Sequence, residues 1–192
     1  MIQAIIFDLF GVIRPDRVMV AYRQFGGNPD KDTEFIANTI ESVNRGRLPS
    51  SRAVFARHFG ITPDQWMAVI KGEHANDQMV LDYCLSLRQK YKIGLLSNVG
   101  ADVLPQLFAS GELEHYFDAT VASGSIGYAK PEPQAYQAIA QRLAVPAAAC
   151  VMIDDQPAYC DGARAVGMQA ICYKNLAQCQ RELGQILQEK AA

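Results

Sequence analysis

Two rhythms of apolar residues alternate along this chain. One is a set of short runs that end on a polar residue. The first, residues 2–7, is rich in isoleucine and closes at Asp8. It is too short for a buried helix and predicts a central strand. Similar runs occupy 93–97, 119–122, 150–154 and 169–173. The second rhythm is helical. Ala135, Ile139 and Leu143 recur at a spacing of four, and Leu176, Cys179, Leu183 and Ile186 at three, four and three. Such alternation predicts an α/β fold: a Rossmann-like parallel β-sheet core with helices on both faces.

Residues 16–74 break that rhythm. They hold no strand pattern but four helical ones, at 18–25, 31–44, 51–59 and 63–71, separated by Gly26, Gly27, Pro29, Gly46, Pro49 and Gly60. Thr62 followed by Pro63 forms a helix start, with Pro at the first helical position. The expectation is a small α-helical module, 16–74, inserted into a core made of 1–15 and 75–192. A further helix near 77–90 leads back to the second strand.

The polar ends of the strands carry the candidate chemistry. The first strand ends at Asp8, the second at Ser97 and Asn98, the fourth at Asp154 and Asp155. Parallel sheets bind ligands at the carboxyl ends of their strands. Carboxylates and a hydroxyl at that edge suit a metal ion and an oxyanion, although a single strand-end Asp is commonly a turn former.

Composition narrows the classes. The chain has 192 residues, 49% hydrophobic and 20% charged, which fits one globular domain plus a small insertion and excludes a disordered chain. A net charge of −2 offers no basic excess for a nucleic-acid backbone. No apolar run reaches membrane-spanning length. The amino terminus lacks the basic region of a signal peptide. Five cysteines without C-x-x-C spacing are expected to be reduced thiols in the cytoplasm. His58, His74 and His115 lie far from them in sequence, which argues against zinc.

Four segments together resemble the motifs of the haloacid dehalogenase (HAD) superfamily, in the order found in members with a helical cap between the first two motifs. They are Phe7-Asp-Leu-Phe-Gly-Val-Ile13, Leu96-Ser-Asn98, Ala129-Lys-Pro-Glu-Pro-Gln-Ala-Tyr136, and Met152-Ile-Asp-Asp155 followed by Asp161-Gly-Ala-Arg-Ala-Val-Gly-Met168. The resemblance implies roles. Asp8 would be the nucleophile that forms an aspartyl-phosphate. Magnesium (Mg2+) would be held by Asp8, Asp155 and the backbone carbonyl of Phe10. Ser97 and the amide of Asn98 would hold phosphate oxygens, and Lys130 would offset charge on Asp8 and the phosphoryl group. Asp154 would orient Lys130 or the metal's waters. The implied substrate is a small-molecule phosphate ester, with sugar 1-phosphates suggested by glucose-1-phosphatase-like members. No nucleic-acid or membrane partner is implied, and the oligomeric state is left open.

The pattern also departs from the family. Phosphatases of this type carry an acid–base aspartate two residues after the nucleophile, where this chain has Phe10, which cannot transfer a proton. Tyr159 stands where a further carboxylate would align. Without another side chain as donor, activated or anomeric phosphates should be preferred over primary alkyl ones. Two alternatives therefore accompany the magnesium-dependent phosphatase: an L-2-haloacid dehalogenase-like hydrolase, and a non-catalytic member that binds a phosphorylated ligand or a protein. Arg14, Arg45 and Arg47 are either substrate contacts or ordinary surface charge. Tyr136 and Tyr128 read as packing residues, as do Phe35, Ile36, Phe55, Phe59 and Trp66.

Overall fold

A computed structural model describes residues 1–72 and 76–189. Its centre is a five-stranded, all-parallel sheet built from β1 (Ala4–Phe7), β2 (Lys92–Ser97), β3 (Ala119–Ala122), β4 (Cys150–Asp154) and β5 (Gln169–Cys172). The spatial order is β3-β2-β1-β4-β5, so the first strand lies in the middle. Side chains alternate across each strand. Ile5, Phe7, Ile93, Leu95, Val151 and Ile153 enter one core, while Ala4, Ile6, Leu96, Cys150 and Met152 enter the other. Both faces are covered, which is why these strands read as unbroken apolar runs.

The chain then alternates around the sheet. Four helices follow β1: α1 (Val18–Gln24), α2 (Thr33–Asn44), α3 (Ser51–Phe59) and α4 (Pro63–Lys71). The remaining helices are α5 (Gln78–Arg88), α6 (Leu104–Leu107), α7 (Glu112–Tyr116), α8 (Pro133–Arg142), α9 (Pro157–Ala165) and α10 (Leu176–Glu189). On the face of Ala4 and Ile6, α8 packs Ala135, Tyr136 and Ile139 against the strands. Gly94 of β2 permits that approach, since a Cβ there would lie 3.0 Å from Leu143 and 3.2 Å from Ile139.

Local signals explain the four helices after β1. Ser50 accepts a hydrogen bond from the Arg52 amide at the start of α3, and Gly60 ends that helix in the left-handed conformation. Thr62 and Gln65 form a capping box on α4. The helices meet through aromatic side chains. Tyr22 packs on Phe59 at 4.8 Å and on Phe55 at 5.6 Å, and Phe55 on Trp66 at 4.9 Å between ring centres. These rings belong to the same apolar cluster as Ile5, Phe7 and Leu95 of the sheet. Asp32 accepts from the Tyr22 hydroxyl at 3.0 Å and from the Asn28 amide, closing a polar turn, so α2 begins at Thr33 rather than at residue 31.

Among the described residues, three sets of side-chain polar contacts fasten the four helices to the rest. Arg45 pairs with Glu132 at 3.0 Å and Arg52 with Asp102 at 3.0 Å. The third is Arg14, which is 4% exposed and donates to the Asn76 side chain and the Lys71 carbonyl, each at 3.2 Å. The boundary between residues 74 and 75 expected from the sequence, and His74 itself, lie outside the described residues. No described helix is long and apolar enough to cross a membrane.

Candidate active site

Strand register brings the candidate carboxylates together. Phe7 pairs with Leu95 on one side and Ile153 on the other, so the residues that follow, Asp8 and Asp154, leave the sheet side by side. The Asp8 amide donates to the Ile153 carbonyl at 2.9 Å and holds that exit in place. The chain must then turn at once. Gly11 takes φ +83°, and a Cβ there would lie 2.4 Å from the Asp155 carboxylate. Glycine supplies both the left-handed backbone and the room for Asp155.

Lys130 links the group. Its ammonium lies 2.9 Å from Asp8 Oδ1 and 2.5 Å from Asp154 Oδ2, and all three side chains are buried. The loop that carries it is held from β2. Asn98 Nδ2 donates to the Lys130 carbonyl and the Lys130 amide donates to Asn98 Oδ1, each at 2.8 Å. Burial pushes the Asp8 carboxyl up to about 6 and also raises Asp154. In both cases Lys130 opposes the rise without cancelling it. Burial pulls the Lys130 ammonium down, but Asp8 and Asp154 outweigh it and hold it above the ordinary lysine value.

One carboxylate oxygen from each of Asp8, Asp154 and Asp155 lies within 4.8 Å of the other two. Three carboxylates and one ammonium leave an excess negative charge in a largely buried pocket, and a divalent cation would balance it. Asp154 is already engaged on both oxygens, by Lys130 and by the Gln156 amide at 2.9 Å. Asp8 keeps Oδ2 free of Lys130, and Asp155 keeps Oδ1 free of the Gln156 side chain, which binds Oδ2 at 2.8 Å. The residues present therefore fit a hard, oxygen-seeking cation, with Asp8 and Asp155 as its protein carboxylates.

The group opens into a cleft of about 370 Å³ whose walls include Phe10, Ser97, Asn98, Lys130, Tyr159 and Asp16. Ser97 is 1% exposed at the end of β2. Tyr159 places its ring 5.1 Å from the Lys130 ammonium, a cation–π contact the sequence did not suggest. Neither was Asp16 anticipated; its signal in the sequence is a Pro-Asp pair that starts a helix.

The arginines separate. Arg14 is neither surface charge nor a wall of this cleft; its guanidinium is fixed to the carbonyl end of α4. Arg45 is half-buried, lines an adjoining cavity and is tied to Glu132 and Glu41. Arg47 is exposed. Tyr136 is buried and donates to the Tyr159 carbonyl at 2.7 Å, a packing role. Tyr128 is 43% exposed and lines none of the described cavities that border the site.

A family model of haloacid dehalogenase-like hydrolases matches residues 2–167, which takes in every strand-end carboxylate. The chain belongs to the haloacid dehalogenase-like hydrolase family. Among its relatives, the phosphatase MT3486 of Mycobacterium tuberculosis is 39% identical over 84 residues, which is 43% of this chain and 39% of that one. That match spans well under half of the relative. A D-ribitol-5-phosphate phosphatase of Bacteroides thetaiotaomicron is 25% identical over 210 residues, 97% of this chain and 99% of that one. A HAD enzyme of the same organism, solved with magnesium and inorganic phosphate, shares the fold at a TM-score of 0.72 and 22% identity, over 91% of this chain and 95% of that one.

Proposed function

We propose that this HAD hydrolase is a magnesium-dependent phosphatase of small phosphorylated metabolites, sugar phosphates among them, that works through an aspartyl-phosphate on Asp8. The observation that carries this reading is the Lys130 ammonium between Asp8 and Asp154, with Asp155 in the same cluster at the floor of an open cleft. The names of the relatives support the class of substrate: one is a phosphatase and one acts on a sugar-alcohol phosphate. Residues 16–74 act in this reading as a cap over the cleft, which keeps water from the reacting bond.

Asp8, Asp155 and the Phe10 carbonyl would hold magnesium, which when bound neutralises charge on the carboxylates and the phosphoryl group. Asp8 presents a carboxylate oxygen to phosphorus, and the ester oxygen leaves on the opposite side. Lys130 fixes the Asp8 carboxylate in orientation. Its charge also offsets the negative charge that accumulates on the phosphoryl oxygens. The Ser97 hydroxyl and the Asn98 amide donate to those oxygens. With its side chain committed to the Lys130 backbone, Asn98 contributes through the main chain alone.

Phosphate release from a panel of sugar phosphates and aryl phosphates, with magnesium and with chelator, tests the reading. Haloacids in the same panel test the dehalogenase chemistry. Asp8→Asn is expected to lower turnover by at least ~10⁴-fold, because an amide is a poor nucleophile. Release that persists in Asp8→Asn, or halide release without metal, would overturn the proposal.

A further inference from the structure

A phosphate ester that breaks at the P–O bond leaves an alkoxide, which needs a proton unless the leaving group is already acidic. Phe10 provides none. In the reading above the carboxylates on the floor of the cleft are already assigned, Asp8 to phosphorus, Asp155 to the metal ion and Asp154 to Lys130. The donor must instead sit where the phosphoryl site meets the space for the rest of the substrate.

That junction is visible. A second, apolar cavity of about 120 Å³ adjoins the cleft and is walled by Val43, Trp66, Met67 and Ile70. Five residues line both spaces: Phe10, Asp16, Ile40, Asn44 and Asn98. Among them Asp16 alone carries a titratable side chain. Lys130, Asp155 and Tyr159 border the polar cleft but not the apolar cavity.

Asp16 is exposed and is tied at one oxygen. Its Oδ1 accepts the Val18 amide at 2.9 Å, at the start of α1. Two residues earlier, Arg14 is buried and tied to Asn76 and Lys71. Asp16 Oδ2 has no hydrogen bond or ion pair among the described residues. One oxygen anchors the side chain while the other stays available.

We propose that Asp16 is the proton donor and acceptor of this site, a role that rests on the phosphatase reading above. In the first step the Asp8 carboxylate forms its bond to phosphorus, the P–O ester bond breaks, and the Asp16 carboxyl passes its proton to the departing oxygen. In the second step the Asp16 carboxylate takes a proton from water as its oxygen bonds to phosphorus. The P–O bond to Asp8 then breaks, inorganic phosphate leaves, and both carboxyl groups return to their starting forms. With this donor, primary alkyl esters become substrates, and the preference for activated esters expected from Phe10 alone weakens.

The test compares wild type, Asp16→Asn and Asp16→Ser on n-propyl phosphate and p-nitrophenyl phosphate, all with magnesium. Asn and Ser keep an oxygen for the Val18 amide, so both variants should fold and show the wild-type thermal shift with magnesium. The expected result is a loss of about 10²–10⁴-fold on n-propyl phosphate but less than about fivefold on first-turnover release of p-nitrophenol, because the aryl oxide leaves unaided. Equal losses on both esters, or no loss on either, would overturn the role of Asp16 while leaving the phosphatase intact. If wild type turns over only sugar phosphates of the panel above, Asp16→Asn must lose about 10²–10⁴-fold on the best of them, and no loss there would overturn the role of Asp16. A wild-type protein that releases phosphate from no ester of either set would overturn the phosphatase reading and this role with it.

Discussion

Lys130 keeps its charge at 2% exposure because Asp8 and Asp154 face it from two strands. Taking the ammonium away leaves two carboxylates in a pocket that water barely reaches. Lys130→Met should therefore lower the unfolding free energy by about 3–5 kcal/mol, the usual effect of removing one partner of a buried ion pair. Urea titration measures it, and a loss under about 1 kcal/mol would show that the carboxylates simply take up a proton. Part of this was legible one residue at a time. Asp8, Ser97 and Asp155 stand out as polar residues closing apolar runs. The grip of the Asn98 side chain on the Lys130 backbone was not, since it joins loops 32 residues apart. Arg14 misleads for the same reason. Its burial depends on partners near residues 71 and 76, and nothing adjacent in sequence announces them.

Helices and strands were legible in proportion to their length and burial. The five strands and the helices following β1 lie within a residue or two of the expected positions, because each is an apolar run or a capped, periodic stretch. The helices α6 and α7, of four and five residues, are too short to show a period. Helix α9 buries Cys160 and Ala163, small residues that mark a helical face weakly. The seam between the loop after α2 and the loop after β3 left no signal either. There Gly46, at φ +68°, would place a Cβ 2.5 Å from the Gly124 carbonyl. Gly46→Ala is expected to push the two loops apart and raise KM more than it lowers kcat. Gly26→Ala is the control, because Gly26 also has positive φ, at +91°, but nothing lies within 4 Å of its Cβ position. Backbone strain alone, about 1 kcal/mol, should appear in both variants. A change in KM should appear only at Gly46, and steady-state kinetics on the best substrate of the panel decides it.

At the scale of the whole molecule, one apolar cluster runs from the sheet through Trp66 and Tyr22, so the helices after β1 and the carboxylate floor sit on shared packing. That packing excludes water from Asp8, and the consequence is a pH dependence that a metal should reverse. Burial, then the charge of Asp154, lifts the Asp8 carboxyl to about 6 against the pull of Lys130. A carboxyl raised above its unfolded value of 3.8 stabilises the fold in its protonated form. That contribution is complete below about 4 and is lost as pH climbs through about 6. The metal-free protein should thus lose this contribution across the window in which ordinary paired carboxylates add stability. Magnesium needs the ionised form, so one proton competes with each ion. Affinity should fall about tenfold for each pH unit below about 6 and level off above it. Thermal unfolding with and without magnesium, from pH 5 to 8, measures the difference. The magnesium-induced rise in Tm should be small at pH 5, grow through pH 6 and flatten by pH 7.5. A rise of equal size at pH 5 and pH 7.5 would overturn the pairing of a raised Asp8 carboxyl with magnesium on that same carboxylate.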